Sequence, residues 1–168
     1  LLTPCEQVPM SIFLIIILAG IGACIIFDLW QICLYRVTGV PATNWGVIGR
    51  WLIIALTTGK LVNDRLDDTP MIKYEAVAGW TLHYAVSIGY AAIFAMLIYR
   101  TPYLAATWLD GVYFGAASVI VPWFMFLPCL GKGILARKTP KPVLVSGLAL
   151  IGHIIFGVAM ALGFALLG

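Results

Sequence analysis

The sequence predicts an all-α membrane protein: a four-transmembrane-helix bundle with an interfacial helix in the first cytoplasmic connection. Hydrophobic residues make up 62% of the 168 residues, and charged residues only 10%. The apolar residues gather in four stretches, each long enough to cross a ~30 Å hydrocarbon core as a helix of ~20 residues. Nine of the ten Lys and Arg residues lie in the first and third connections between these stretches. This bias predicts that both connections are cytoplasmic and that both termini lie outside.

The four apolar stretches predict transmembrane helices over about residues 11–34, 76–99, 103–127 and 143–167, within a single membrane domain of residues 1–168. Small residues spaced four apart indicate where helices approach closely. These pairs are Gly111 and Gly115, Ala159 and Gly163, and Ala19 and Ala23. They could face neighbours within the bundle or a second copy of the chain. Pro122 predicts a kink near the inner end of the third helix.

The long first connection contains a shorter apolar run, residues 44–57, which cannot span a bilayer. Asn44 stands where an N-cap is expected. The tryptophans of the run predict a helix that lies at the inner membrane interface, with their rings at headgroup level. Arg50 is always charged and carries five hydrogen-bond donors, so we expect it to face the polar interior. Its partner should be a carboxylate, helix-end carbonyls or lipid phosphate, and Asp28 is the preferred one.

The third connection is basic and bounded by prolines. Arg137, Lys138 and Lys141 are predicted to contact anionic lipid headgroups, and a substrate-binding cluster is the alternative. The net charge of +3 comes from these connections, so it reports topology and attraction to lipid. The expected partner is the lipid bilayer, with a homo-oligomer or a larger membrane complex beyond it. The sequence contains no nucleic-acid motif and indicates no nucleic-acid partner.

Four ionisable residues, Asp28, His83, Asp110 and His153, lie within the apolar stretches, where each costs a few kcal/mol unless it faces the bundle interior and finds a partner. From a rise of ~1.5 Å per residue, Asp28 and His83 both lie about 10 Å below the inner surface, so they can meet. His153 lies about 15 Å deep on the same interior face, whereas Asp110 enters from the opposite side.

Three interpretations of Asp28, His83 and His153 remain open. An imidazole beside a carboxylate can relay protons or bind a ligand. Two histidines could ligate a metal or a haem iron, although no third ligand is spaced with them. A hydrogen-bonded cluster could also simply fix the register of the helices. The sequence therefore assigns no catalytic residue and no metal site, and it identifies no cofactor.

Several short motifs occur in a fixed order along almost the whole chain. They are Asp28-Leu29-Trp30, Gly49-Arg50-Trp51, His83-Tyr84, Pro128-x-x-Gly131, Ala136-Arg137-x-Thr139-Pro140-x-Pro142 and His153. Together they resemble a bacterial family of small integral membrane proteins known as domain of unknown function 2938. The resemblance implies a four-helix fold in the bacterial inner (plasma) membrane, and it implies no activity.

Three classes of function follow from these observations. The first is a small transporter or ligand-binding membrane protein, in which Asp28, His83 and His153 line a polar pocket that Arg50 closes. The alternative is an accessory or assembly subunit of a larger membrane complex, which would use the glycine faces and the interfacial segment. A membrane-embedded enzyme is the least supported, because the H-E-x-x-H and G-x-S-x-G motifs and paired cysteines are all missing from the sequence.

Overall fold

The computed structural model describes residues 10–101 and 104–168, and within these ranges all regular structure is helical. Four of the helices, α1, α3, α4 and α5, are long and apolar enough to cross a membrane. The shorter α2 lies in the first connection. The bounds are α1 Ile12–Thr38, α2 Trp45–Thr58, α3 Glu75–Arg100, α4 Trp108–Cys129 and α5 Pro142–Leu167.

Two helix ends differ from the sequence-based prediction. Helix α1 continues past Leu34 to Thr38 and ends at Gly39, whose φ of 72° closes the last turn. Helix α4 begins at Trp108 rather than at residue 103, which lies outside the described residues. It begins there because Thr107 and Asp110 form a capping box. The expectation that Asp110 lies inside the apolar stretch is therefore wrong, since its carboxylate caps the first turn.

Within the bundle, α1 packs against α3 and α5, and α4 packs against α5. The crossing of α4 and α5 is very close: a Cβ at Gly111 would lie 2.6 Å from the Gly157 carbonyl oxygen. A Cβ at Gly163 would lie 3.2 Å from the Ala19 side chain, so α1 and α5 also meet at small residues. The small-residue pairs thus face neighbours inside the bundle, which is one of the two uses that the sequence left open.

Helix α2 crosses the start of α3 at two glycines. A Cβ at Gly49 would collide with the Glu75 carbonyl oxygen, and one at Gly79 with the Trp45 carbonyl oxygen. The predicted N-cap is confirmed, because the Asn44 side chain accepts a hydrogen bond from the Val47 amide. Helix α2 is therefore fixed to the end of the bundle where α3 begins, and its position at a membrane interface stays a prediction.

The first connection, residues 39–74, and the third connection, residues 130–141, meet at one end of the bundle, which we call the connection end. The Asn63 amide donates to the Cys129 carbonyl at 3.0 Å. Lys138 donates to Asp64 at 2.8 Å, and this hydrogen bond lowers the pKa of the Asp64 carboxyl. Lys132 pairs with Asp67. Both long connections therefore lie on the same side of the four long helices.

Helix α4 changes its geometry at Pro122, where the sequence predicted a kink. Residues Pro122–Phe126 form a π-helical turn, which continues into a last α-helical turn, Leu127–Cys129. Proline lacks an amide hydrogen and clashes with the preceding turn, so a wider turn accommodates it. Such single π-helical turns are frequent at functional sites. This one forms part of a cavity wall.

Candidate functional site

Three polar side chains meet between α1 and α3, near the connection end. The Asp28 Oδ1 atom lies 3.0 Å from His83 Nε2, and the Cys24 Sγ atom lies 3.1 Å from the same nitrogen. Cys24 is fully buried, and the side chains of His83 and Asp28 are 11% and 16% exposed. The structure thus brings Asp28 and His83 together, as the sequence predicted, and adds a thiol.

The pattern of helix contacts explains why these groups meet. Cys24 and Asp28 are four residues apart in α1, so they share one helix face. On that face Gly20 permits a close approach, because a Cβ there would lie 3.0 Å from the Ile88 Cα atom. The Ser87 hydroxyl, one turn from His83, donates to the Gly20 carbonyl at 2.6 Å. This bond sets the register that places His83 opposite Cys24 and Asp28.

Aromatic rings enclose the histidine. The Trp45 ring at the start of α2 stacks on the His83 imidazole, with 3.7 Å between centroids and 22° between planes. The Tyr84 hydroxyl donates to Asp28 Oδ2 at 3.4 Å. The position of His83 is therefore determined by three helices: α1 through its polar partners, α2 through Trp45, and α3 through its own backbone.

A cavity of about 570 Å³ lies beside this cluster, among all four long helices. Its walls are mostly apolar and come from the halves of the helices nearest the connection end, including the π-helical turn of α4. Exposed residues of the two long connections surround its mouth, among them Pro41 and Lys141. Beyond it, buried side chains fill the other half of the bundle, among them Ala19, Phe94 and Met160.

The two histidines contribute to the lining of this cavity but bond to different partners. His153 Nδ1 lies 2.8 Å from the Ser118 hydroxyl of α4, which also lies 2.8 Å from the Gly115 carbonyl oxygen. His83 instead directs its Nε2 atom to α1. The two imidazoles are therefore not a shared ligand pair for a metal or a haem iron, although both border the same space.

Arg50 does not pair with Asp28, so that expectation is wrong. Its guanidinium forms a bidentate ion pair with Glu75, at 2.8 and 3.0 Å, and also donates to the Thr69 carbonyl. The bond to Glu75 raises the pKa of Arg50, so the guanidinium stays charged. Glu75 also accepts from the Ile72 amide at 2.9 Å. Arg50 thus joins α2, the first connection and α3, outside the cavity lining described above.

The three basic residues of the third connection lie in different places. Lys138 pairs with Asp64, and its side chain is 54% exposed. Arg137 is exposed beside it. Lys141 lies at the mouth of the cavity. Contact of these residues with lipid headgroups stays a prediction, and for Lys138 it competes with the ion pair.

Comparison with known proteins adds the family. A family model described as "Protein of unknown function (DUF2938)" matches residues 17–167. The chain belongs to this family. The match includes the Cys24, Asp28 and His83 cluster, the cavity and Arg50 with its partner. No curated protein and no solved structure matches the chain.

The sequence reasoning missed several polar members of the site. Cys24 was not among the candidate residues, although its spacing of four from Asp28 places it on the same helix face. Glu75 was passed over, although a carboxylate beside the first turn of an apolar helix is a natural partner for a buried cation. Ser118 and Gln31 carry no charge, so the pattern of ionisable residues did not indicate them. Gln31 is buried and accepts from the Thr43 amide at 2.8 Å.

Proposed function

We propose that this chain is a membrane-embedded binding protein for a lipid-soluble molecule that carries hydrogen-bonding groups. The observation that carries the proposal is the apolar cavity of about 570 Å³ at the connection end, with His83 and His153 among its lining residues. Pockets for small molecules measure about 300–1,000 Å³ and combine apolar walls with a few polar groups. The volume and lining of this cavity both fit that description.

The few polar side chains around the cavity suggest how the ligand is oriented. Ser118 has a single hydroxyl hydrogen, and when it donates to the Gly115 carbonyl it accepts from Nδ1–H of His153. His153 Nε2 is then an acceptor for a hydroxyl or amide of the ligand. Tyr90, which also contributes to the lining, donates its hydroxyl to the Ser118 carbonyl and holds this wall in place.

Two observations favour binding over assembly into a larger complex. The small-residue pairs are used within the bundle, at the crossings of α4 with α5 and of α1 with α5, so they are not free docking faces. The cavity beside the polar cluster, about 570 Å³, also lies within the volume range of small-molecule pockets. Membership in a larger complex would then rest on the interfacial segment, helix α2, rather than on the glycine faces.

The proposal places the protein in the bacterial inner membrane, with four crossings, both long connections in the cytoplasm and the lipid bilayer as its immediate partner. Support comes from four helices of spanning length and from the basic bias of those connections. The ligand would enter through the mouth between the two connections. A small transporter that uses the same cavity is the alternative within this class.

A matched pair of substitutions tests the proposal. Leu148 lines the cavity, whereas Ile151, three residues further along α5, is 49% exposed and does not belong to the lining. The protein and its Leu148→Trp and Ile151→Trp variants are purified in mild detergent, and organic extracts are compared by mass spectrometry. We expect a co-purifying apolar molecule with the natural protein and with Ile151→Trp, and its loss with Leu148→Trp. An equal extract from all three folded proteins would contradict the proposal.

A further inference from the structure

We propose that Cys24, Asp28 and His83 form a binding site for a divalent metal ion of the zinc class. One sulfur, one oxygen and one nitrogen of these side chains lie within 4.8 Å of one another. Thiolate, carboxylate and imidazole are the protein ligands that Zn²⁺ takes, and three such ligands with an open fourth position are typical of non-structural zinc sites. The proposal does not depend on which molecule occupies the cavity.

The direction of the contacts distinguishes a metal site from a catalytic triad. In a Cys-His-Asp triad the carboxylate binds the imidazole nitrogen that faces away from the thiol. Here Cys24 and Asp28 both approach His83 Nε2, at 3.1 and 3.0 Å. The three ligand atoms therefore converge on one region of space, as ligands around an ion do.

Hydrogen bonding alone satisfies this arrangement poorly. The nitrogen either carries one hydrogen or accepts one. If Nε2–H donates to Asp28, the Cys24 thiol faces an N–H group that is already used. If the thiol donates to Nε2 instead, the Asp28 carboxylate faces a lone pair with no hydrogen between them. A cation at the centre accepts an electron pair from all three atoms at once.

The geometry is close to what an ion requires. Ligand atoms bound tetrahedrally at about 2.0–2.3 Å from Zn²⁺ lie roughly 3.3–3.6 Å from one another. The contacts of 3.0 and 3.1 Å need to lengthen by about half an ångström. The Cys24 sulfur and the Asp28 oxygen, which lie within 4.8 Å of each other, reach the same spacing by side-chain rotation. Tyr84 already bonds the second Asp28 oxygen, an outer contact that orients a ligating carboxylate.

Charge balance also favours the ion. An unpaired charge at membrane depth is costly, so intramembrane carboxylates find a partner. On binding, the Cys24 thiol loses its proton to water, and the thiolate and the Asp28 carboxylate together carry two negative charges. A divalent cation cancels both, while His83 ligates as the neutral imidazole. The buried set is then neutral overall.

Cobalt and zinc binding to the full chain in detergent test this site. The protein is treated with a chelator, dialysed, and titrated with Co²⁺ or Zn²⁺ alone. We expect one ion per chain, a cobalt–thiolate charge-transfer band, and a rise in Tm with Zn²⁺ relative to the chelated protein. Cys24→Ser, Asp28→Asn and His83→Gln should each weaken binding by at least about tenfold, and Cys24→Ser should abolish the thiolate band.

The controls are Cys33→Ser, which removes an exposed thiol from the same helix, and His153→Gln, which removes the other intramembrane histidine. Both should bind the ion as the natural protein does. If a variant of Cys24, Asp28 or His83 loses its helical circular dichroism, it is not folded. The proposal is then tested by ion binding to the natural protein alone. The absence of a thiolate band and of a Zn²⁺-dependent rise in its Tm, or full binding by all three folded cluster variants, would overturn the proposal.

Discussion

At the scale of single residues, Arg50 and Glu75 show how one ion pair organises a loop-rich end of a helical bundle. Arg50 lies in α2, and its bidentate contact reaches the first residue of α3. The remaining donors of Arg50 reach the Thr69 carbonyl, and Glu75 also accepts from the Ile72 amide. The pair therefore satisfies backbone groups of the first connection as well as its own charges.

Removing one partner should destabilise the protein more than the loss of a surface charge, because the buried guanidinium is left without its anion. We expect Glu75→Gln to lower the Tm by several degrees in detergent. The matched control is Asp68→Asn, which removes a carboxylate from the exposed part of the first connection and should leave the Tm nearly unchanged. If the Glu75→Gln and Asp68→Asn variants had the same Tm, the ion pair would contribute nothing measurable to stability.

The sequence predicted that Asp28 and His83 meet, but it did not predict the partner of Arg50. Counting residues from the helix ends was enough to place Asp28 beside His83, because the rise of a helix is constant. Partners of Arg50 could not be obtained this way. They depend on how the first connection folds back beneath the bundle, and that path is set by contacts such as the one between the Trp51 indole and the Leu61 carbonyl.

At the scale of helices, the crossing of α4 and α5 depends on glycine. A Cβ at Gly157 would collide with the Gly111 carbonyl oxygen and lie 2.8 Å from the Gly115 Cα atom. Within lipid, such close backbone approach replaces the hydrophobic effect as the source of helix association. Gly147, ten residues earlier in α5, has nothing within 4 Å of a built Cβ.

The same substitution at these two glycines should therefore have different effects. Gly157→Ala forces α4 and α5 apart, and we expect a loss of about 1–3 kcal/mol from overpacking. Gly147→Ala meets open space and gains helix propensity, so its stability should be unchanged or slightly higher. Thermal unfolding of the two variants in one detergent measures the difference. A Gly157→Ala variant as stable as Gly147→Ala would show that the helices separate at no cost.

The sequence predicted which segments form the long helices, because a long apolar stretch marks each of them. It predicted the ends of these helices less well. The apolar stretch of α1 stops at Leu34, but the backbone hydrogen bonds continue to Thr38, since polar residues propagate a helix as well. At the start of α4, the capping box of Thr107 and Asp110 decided the boundary. The position of Asp110 in an apolar stretch had instead predicted that its carboxylate faces the bundle interior.

At the scale of the whole molecule, the first and third connections are joined through the Lys138–Asp64 and Lys132–Asp67 pairs. These pairs are exposed, so each adds little stability and is screened by salt. Their consequence is topological. Because the connections touch, both must lie on one side of any membrane that the four helices span, and the basic bias predicts that this side is the cytoplasm.

Cysteine labelling in intact cells tests that orientation. Ala105 and Arg137 are both exposed, one in the second connection and one in the third. With an impermeant thiol reagent, we expect an Ala105→Cys variant to be labelled in intact cells and an Arg137→Cys variant only after permeabilisation. The natural chain supplies the background signal. Labelling of the Arg137→Cys variant in intact cells would reverse the predicted topology.

The packed half of the bundle around Phe94 and Met160 closes the cavity at the end away from the connections. An occupant of the cavity therefore has no route along the bundle axis to the far end of the long helices. The shape of the cavity therefore affects how long a ligand stays bound, rather than how fast molecules pass through the protein. A substitution that fills the cavity changes how long a ligand stays bound. Only a rearrangement of the packed half would create a passage from one face to the other.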